Sequence, residues 1–417
     1  MRLLHHDGRD EAFGFTSHFR EDVYGCLTRR ADTLFELCNA MLCEDGPVTS
    51  PVDLRLLAEH RRGHGALYDA LNQGCIDVDR LRKALAVLPQ PKAADGRLVL
   101  ALLDPEAVLL DVIAVVQGRV GEEWAANRMS VAQEHAATAI NERAVAALAV
   151  HPGARRKPSL GRVTVACVDG EWHALPARLV AEVLKLRGWQ VDYLGAQVPA
   201  PHLITHLHQT KADAVALSSS IATRLPTAYA AITACQVVGV PVLVGGAAFG
   251  PDGQYAKLLG AQAWAPDARA AADLLEKGPL AGPELDHQQM DDLPHLEDQE
   301  YTMVARNNDS LVRTVFHALE DAFPAMRGYD DMQRERTAED LAHIVDFLAT
   351  ALYLDDEGLF TWFLAWTADI LKARGVPKQS LPPALRLFAR ELRDFPRASR
   401  LLARGVDALT AAPHPAA

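Results

Sequence analysis

Between residues 162 and 275, short β-rich apolar runs alternate with helical stretches, and this alternation constrains the fold more than any other feature of the chain. Val163–Val168, Val191–Leu194, Ala214–Leu217, Val242–Val244 and Ala261–Ala265 read as strands. Ala177–Leu186, Pro201–Gln209, Pro226–Val238, Gln254–Leu259 and Ala268–Leu275 read as the helices that follow each of them. A helix between two strands carries the chain back to the edge it started from, so successive strands run parallel. The pattern predicts a doubly wound, five-stranded parallel sheet. In such a sheet a ligand sits beyond the carboxyl ends of the strands.

The flanks are of another kind. From Asp22 to Pro91, Leu34, Leu37, Cys38 and Met41 recur at helical spacing, and Leu54, Leu57, Tyr68, Leu71, Ile76, Leu81 and Leu85 suggest further short helices. Pro105 opens a helix that runs to about Val120, with Leu109, Val112, Ile113, Val116 and Val120 on one face. A second starts near Ser130, and the two read as a hairpin. His151–Pro158 and the acidic stretch Gly278–Glu300 have linker composition. Beyond them Leu341, Ile344, Phe347, Leu348 and Leu352 again mark helices, broken at Gly375-Val376-Pro377 and Pro382-Pro383. The reading is a multidomain α and α/β protein. It has a helical segment 1–103, a partial helical bundle 104–152, an α/β domain 160–278, a linker 279–300 and an all-α domain 301–412. A net charge of -12 offers no whole-chain field for a polyanion, so nucleic acid is not expected as a partner, although His60-Arg61-Arg62 is locally basic. Six cysteines without a CxxC pair and no long apolar run predict a reduced, cytoplasmic chain without a membrane span.

The chemistry gathers at the predicted strand ends. The first strand runs out into Val168-Asp169-Gly170-Glu171-Trp172-His173-Ala174-Leu175-Pro176. Imidazole is a good ligand for cobalt, and a carboxylate two residues earlier can accept the other ring N–H, fixing the tautomer. The third strand ends in Leu217-Ser218-Ser219-Ser220 and the fourth in Gly245-Gly246, where a backbone without side chains admits a bulky ligand. This set resembles the Asp/Glu-x-His-x-x-Gly signature of the cobalamin-binding domains of methionine synthases, mutases and cobalamin photoreceptors, with Pro176 in place of the last glycine. The resemblance implies a flavodoxin-like fold and cobalamin as cofactor. It makes His173 the lower cobalt ligand, with Glu171 and Trp172 beside it. Leu217, Ser218 and Ser220 would border the nucleotide tail, and Gly245 and Gly246 would lie where the ligand nears the chain.

Upstream, Trp124 is followed after nine residues by Glu134-His135. That spacing resembles light-sensing cobalamin proteins of the carotenoid-repressor type. It implies that Trp124, Glu134 and His135 cap the upper face of adenosylcobalamin. Ala125 stands where such proteins often carry a second histidine. The runs Cys26–Asp32, Glu59–Ala70 and Asp95–Ala101 resemble the N-terminal region of actinobacterial DDE transposases, without the catalytic core, so transposase activity is not expected. The runs Arg336–Leu341, Asp346–Leu348, Leu359–Trp366 and Ala373–Pro377 resemble the phycobiliprotein-like, globin-related domain of photocobilins, which holds biliverdin. Arg336, His343 and Phe347 share a predicted helix face with Asp346 next to it, and Arg327, Tyr329 and Arg374 are further candidates. No cysteine follows 235, so a bilin in this domain would be held non-covalently unless another domain supplied the thiol. The expectation is a cobalamin-binding photosensory protein rather than an enzyme. A corrinoid carrier for a methyltransferase and a regulator that senses cobalamin in the dark are the alternatives. A homo-oligomer or a downstream signalling partner is left open.

Overall fold

The computed structural model describes residues 21–43, 70, 73–86, 104–150, 157–282 and 293–410. The chain divides into two compact units, Met1–Leu102 and Leu103–Ala417. In the first, helices Ala31–Cys43 and Val78–Ala86 accompany an antiparallel pair of short strands, Leu27–Arg29 with Cys75–Ile76. Ile76 therefore sits in a strand and not in a helix as its spacing suggested. The ladder continues when Asp77 N–H donates to Cys26 O at 2.7 Å. The transposase-like runs at 59–69 and 95–101, with the cluster His60-Arg61-Arg62, lie outside the described residues.

The second unit is built on a five-stranded parallel sheet. Its strands are β1 (Arg162–Val168), β2 (Gln190–Val198), β3 (Ala214–Ser218), β4 (Val242–Gly245) and β5 (Ala263–Ala265). They lie in the order β2-β1-β3-β4-β5, the flavodoxin-like arrangement. Chain order reverses between β1 and β3, which opens a crevice at their carboxyl ends. The inner strands β1, β3 and β4 are near-continuous apolar runs because both faces are covered, whereas the edge strand β2 carries Gln190, Asp192 and Gln197 and is only partly buried. Successive residues feed opposite layers: Val163, Val165 and Cys167 enter one core, Ala166 and Val168 the other.

Each layer extends into a further helical part. Two helices, α1 (Ala114–Ala125) and α2 (Val131–Ala149), form the expected hairpin. Their Val145, together with Leu109 and Ile113 upstream, packs in the core of α3 (Ala174–Arg187) and α7 (Ala268–Glu276). Arg187 on α3 fixes the start of this hairpin with a bidentate pair to Glu106 at 2.7 and 2.9 Å, and also binds Asp273 and Glu276. On the other face lie α4 (Ala200–Thr210), α5 (Leu225–Val237) and α6 (Gln254–Leu258). Their core is continuous with that of α8 (Glu300–Arg306), α9 (Asn308–Ala322), α10 (Asp331–Leu354), α11 (Glu357–Ala373), α12 (Leu381–Glu391) and α13 (Pro396–Thr410). Pro382 and Pro383 open α12 rather than break a helix, because the first-turn N–H groups have no intrahelical partner to lose.

The apolar face expected on the first cap helix is split. Leu109, Ile113 and Val120 are buried, but Val112 and Val116 are exposed. Residues Val108–Ile113 form a π-helical stretch, whose wider turn rotates the following residues off the 3.6-residue register.

Gly246 follows β4 with φ +101°, and a Cβ there would lie 2.2 Å from the carbonyl oxygen of Ser219. Gly239 also has positive φ, but nothing lies within 4 Å of its Cβ position. Gly246→Ala should therefore lower the thermal unfolding midpoint clearly, at a cost of about 3 kcal/mol or more from strain plus clash. Gly239→Ala should cost about 1 kcal/mol. Equal midpoints for the two variants in differential scanning calorimetry would contradict this packing.

Candidate functional site

The crevice beside β1 is organised by one buried carboxylate. Gly170, with φ +78°, turns the chain sharply after β1, and Glu171 N–H closes the turn on Val168 O at 2.9 Å. Glu171 is 1% exposed. Its Oε1 accepts the His173 backbone N–H at 2.8 Å and lies 2.6 Å from the ring Nδ1. Its Oε2 accepts the N–H groups of Ser220 at 2.6 Å and Ile221 at 3.2 Å, and the Ser219 hydroxyl at 3.3 Å. A buried carboxylate is costly unless its lone pairs are used, and here they are. Burial pushes the Glu171 pKa up, but the donors from His173 and Ser220 outweigh it and hold the group down at about 2. The same hydrogen bond raises the His173 pKa against the effect of burial, with the charges of Glu171 and Glu134 adding to it.

His173 is the residue before α3, and its side chain stays 57% exposed. With a carboxylate on Nδ1, that nitrogen carries the proton and Nε2 keeps its lone pair for a ligand. Pro176, in place of the signature's glycine, falls in the first turn of α3 and breaks no helical hydrogen bond. Trp172 is 72% exposed, while Leu217 and Ser218 are buried in the end of β3. Gly245 closes β4, and the space a side chain would take at Gly246 is filled by the backbone of Ser219.

The hairpin brings its own residues to the same end of the sheet. Ser130 caps α2 in a reciprocal box with Gln133. One turn on, Glu134 is held by a one-way relay: Asn141 donates to Gln117, Gln117 to Thr138 and Thr138 to Glu134 Oε1, each at 2.8 Å. His135 is mostly exposed and 3.5 Å from Glu134. Trp124 lies in the last turn of α1, with the Arg374 guanidinium 5.0 Å above its ring.

From the other face, α10 packs on the turn Ala222–Arg224 after β3. Asp346 accepts from Asn308 at 2.6 Å and sits in the field of His343 and Arg224, although burial leaves its pKa raised. Arg336 and His343 are exposed on α10. Phe347 leaves that row: it is buried and stacked on Phe363 at 3.8 Å. Arg327 pairs with Asp321 at the surface, and Tyr329 packs against the helical core. Sequence reasoning passed over Ser219, Ile221 and Arg224, and over the relay of Gln117, Thr138 and Asn141. Among the described residues, no group of three or more His, Cys, Asp or Glu is placed to hold a bare metal ion, and no helix is long and apolar enough to cross a membrane.

Comparison with known proteins bears on this geometry. A family model for the B12 binding domain matches residues 161–273, the whole of the sheet module. Residues 161–273 have the flavodoxin-like fold of a B12 binding domain. A second B12 binding domain model matches residues 81–149, which reaches from the helix Val78–Ala86 through the hairpin. A DDE superfamily endonuclease model matches residues 22–104. Two curated relatives come from Myxococcus xanthus: the HTH-type transcriptional repressor CarA, 32% identical over 162 residues, and the HTH-type transcriptional repressor CarH, 31% identical over 193. These matches take in 37% and 45% of this chain, and the chain spans 54% and 62% of the length of the two relatives. Both relatives are named as transcriptional repressors. Among solved structures, the Methanosarcina barkeri monomethylamine corrinoid protein is 18% identical, with 48% of this chain and 90% of that one aligned at a TM-score of 0.37. A cobalamin-binding protein from Desulfitobacterium hafniense DCB-2 is 18% identical, with 41% and 83% aligned at 0.27.

The residues present fit the cofactor of a B12 binding domain. An exposed imidazole, fixed through one nitrogen by a buried carboxylate, would offer its other nitrogen to the metal of a bound corrinoid, whose ring would bring most of the remaining ligands itself. Glu171→Gln removes the charge but keeps the shape. In the apo variant His173 should titrate below its wild-type pKa, back toward the usual 6.5. The pair stabilises the wild type up to the unfolded histidine pKa; the contribution fades as pH rises through the raised His173 value and again as pH falls toward the Glu171 value of about 2. Histidine ring NMR across pH checks this, and an unchanged His173 pKa in Glu171→Gln would contradict the assigned bond.

Proposed function

We propose that the chain is a cobalamin-dependent light sensor that takes adenosylcobalamin, with His173 as lower ligand and the α1–α2 hairpin over the upper face. The observation that carries this reading is His173 held by the buried carboxylate of Glu171 at the carboxyl end of the sheet, with the hairpin's Glu134 near enough for its charge to favour the protonated ring. Glu171 aims His173 from within the B12 binding domain, and Glu134, held by its relay, directs charge at His173 from the hairpin. Adenosylcobalamin, when bound, supplies a cobalt–carbon bond that light can cleave. The protein's part is to hold and to enclose. His173 orients the lower face, the buried strand ends Leu217 and Ser218 border the nucleotide tail, and Trp124, Glu134 and His135 exclude water from the upper face. A corrinoid carrier must hand a methyl group to and from that upper face, and Trp124 and Glu134 stand in the way.

Two extensions belong to the same reading. The two curated relatives are named as transcriptional repressors, which supports a regulatory output that reaches nucleic acid directly or through a partner. The exposed Arg336 and His343, with Asp346 beside them and Arg224 and Arg374 nearby, form a polar row that suits the propionates and pyrrole N–H groups of a non-covalent bilin such as biliverdin.

Reconstitution of the full chain with adenosylcobalamin and biliverdin tests the proposal. Absorption spectra before and after illumination should show a corrin change in wild type that is lost, with most of the cofactor affinity, in His173→Ala. A long-wavelength bilin band should accompany it if α10 holds the second chromophore. Cobalamin uptake with no more response to light than the free cofactor would sink the sensor and leave a dark regulator or carrier.

A further inference from the structure

The hairpin and the C-terminal helices rise from opposite faces of the sheet and meet at one place beyond its carboxyl edge. The meeting is small and specific. Arg374, at the end of α11, places its guanidinium 5.0 Å over the ring of Trp124, and Asn127 donates its side-chain amide to Ala373 O at 3.4 Å. The other end of α11 is tied down. Asp356, the residue before the helix, accepts from the Tyr255 hydroxyl of α6 at 2.6 Å and from Leu359 N–H at 3.2 Å. Helix α11 therefore spans about 25 Å from the B12 binding domain to the tip of the hairpin. Burial and the like charge of Arg336 disfavour the charged guanidinium, and the charge of Asp340 on α10 attracts it.

We infer that Arg374 is a positioning residue for Trp124: it fixes the tilt of the indole that closes the upper face, so that the C-terminal helical domain governs the cap. This rests on the functional reading above. A cation over one face of an indole is attracted by the ring quadrupole and restricts how the ring turns. Nothing else in the C-terminal helices reaches the hairpin among the contacts described at this edge, so the position of the indole and the position of α11 are set together. Loss of the upper ligand would free Trp124, and the first element to register it would be the end of α11.

The test uses the full chain as wild type, Trp124→Phe, Arg374→Ala, Arg374→Lys and the Trp124→Phe/Arg374→Ala double variant. In the apo protein the Trp124 emission, taken as wild type minus Trp124→Phe, should shift in Arg374→Ala and be restored in Arg374→Lys. Adenosylcobalamin titrated in the dark should bind about threefold more weakly to Arg374→Ala, near wild type to Arg374→Lys, and no more weakly to the double variant than to Trp124→Phe. A loss in Arg374→Ala that persists undiminished without Trp124 would mean a general structural role and would overturn the inference, as would an unchanged apo emission. Wild type that takes up no adenosylcobalamin overturns the functional reading and the upper-face role with it, while the apo emission still decides the contact.

Discussion

The second unit depends on the bonds made by Glu171. A parallel doubly wound sheet opens a crevice wherever its strand order reverses, but the loops at that crevice have no ladder to hold them. Glu171 supplies the missing tie: one oxygen gathers the loop after β1, the other the loop after β3. Because the carboxylate is buried, each donor it accepts is worth more than it would be in water, and each donor lost would leave a charge without compensation. The same group that closes the crevice also sets the tautomer of His173. Loop structure and ligand chemistry are therefore one interaction, and neither can vary alone.

The two faces of the sheet explain why a small module carries such large neighbours. Alternating strand residues demand a helical layer on each side, and each layer here is extended by further helices that share its core. The hairpin belongs to the side of α3 and α7, the C-terminal helices to the side of α4 to α6. Neither extension crosses the sheet, so they can touch only past its edge. The carboxyl edge is where Glu134 reaches the field of His173, where α10 meets the Ala222–Arg224 turn, and where Arg374 covers Trp124.

What could be read from the sequence follows from how local each signal is. The five strands and their helices were legible to within a few residues, because an inner strand buried on both faces is an unbroken apolar run and each helix keeps its own period; the edge strand β2, mixed and partly buried, runs four residues past its predicted end at Leu194. His173 and Glu171 were legible as a pair two residues apart. The relay behind Glu134 was not, since Gln117 lies 21 and 24 residues from its partners Thr138 and Asn141 and no spacing rule joins them. Val112 and Val116 were assigned to the buried face because a 3.6-residue period does not announce a π turn. Ile76 took a strand because its partner Leu27 lies far away in the chain. Phe347 shares a helix face with His343 by spacing, yet its ring turns to Phe363, a choice made by a neighbouring helix.

The distribution of restraints also says which part of the site can move. His173 is fixed through both its backbone N–H and its ring Nδ1 by short bonds to one oxygen of a buried carboxylate, and the strands β1 and β3 behind it are almost wholly buried. The hairpin is anchored at one end only. Near Glu106 it is held by the bidentate pair with Arg187 and by Leu109, Ile113 and Val145 in the shared core. At the Trp124 end, among the described residues, its polar contacts with the C-terminal helices include one cation over one ring and an amide hydrogen bond at 3.4 Å. Breaking the first set costs several times what breaking the second does, since a well-packed core and a partly buried bidentate pair outweigh a half-exposed cation–π contact of about 1 kcal/mol. A perturbation above His173 should thus leave the lower ligand in place and swing the hairpin about its Glu106 end. The tip that swings is the one α11 touches.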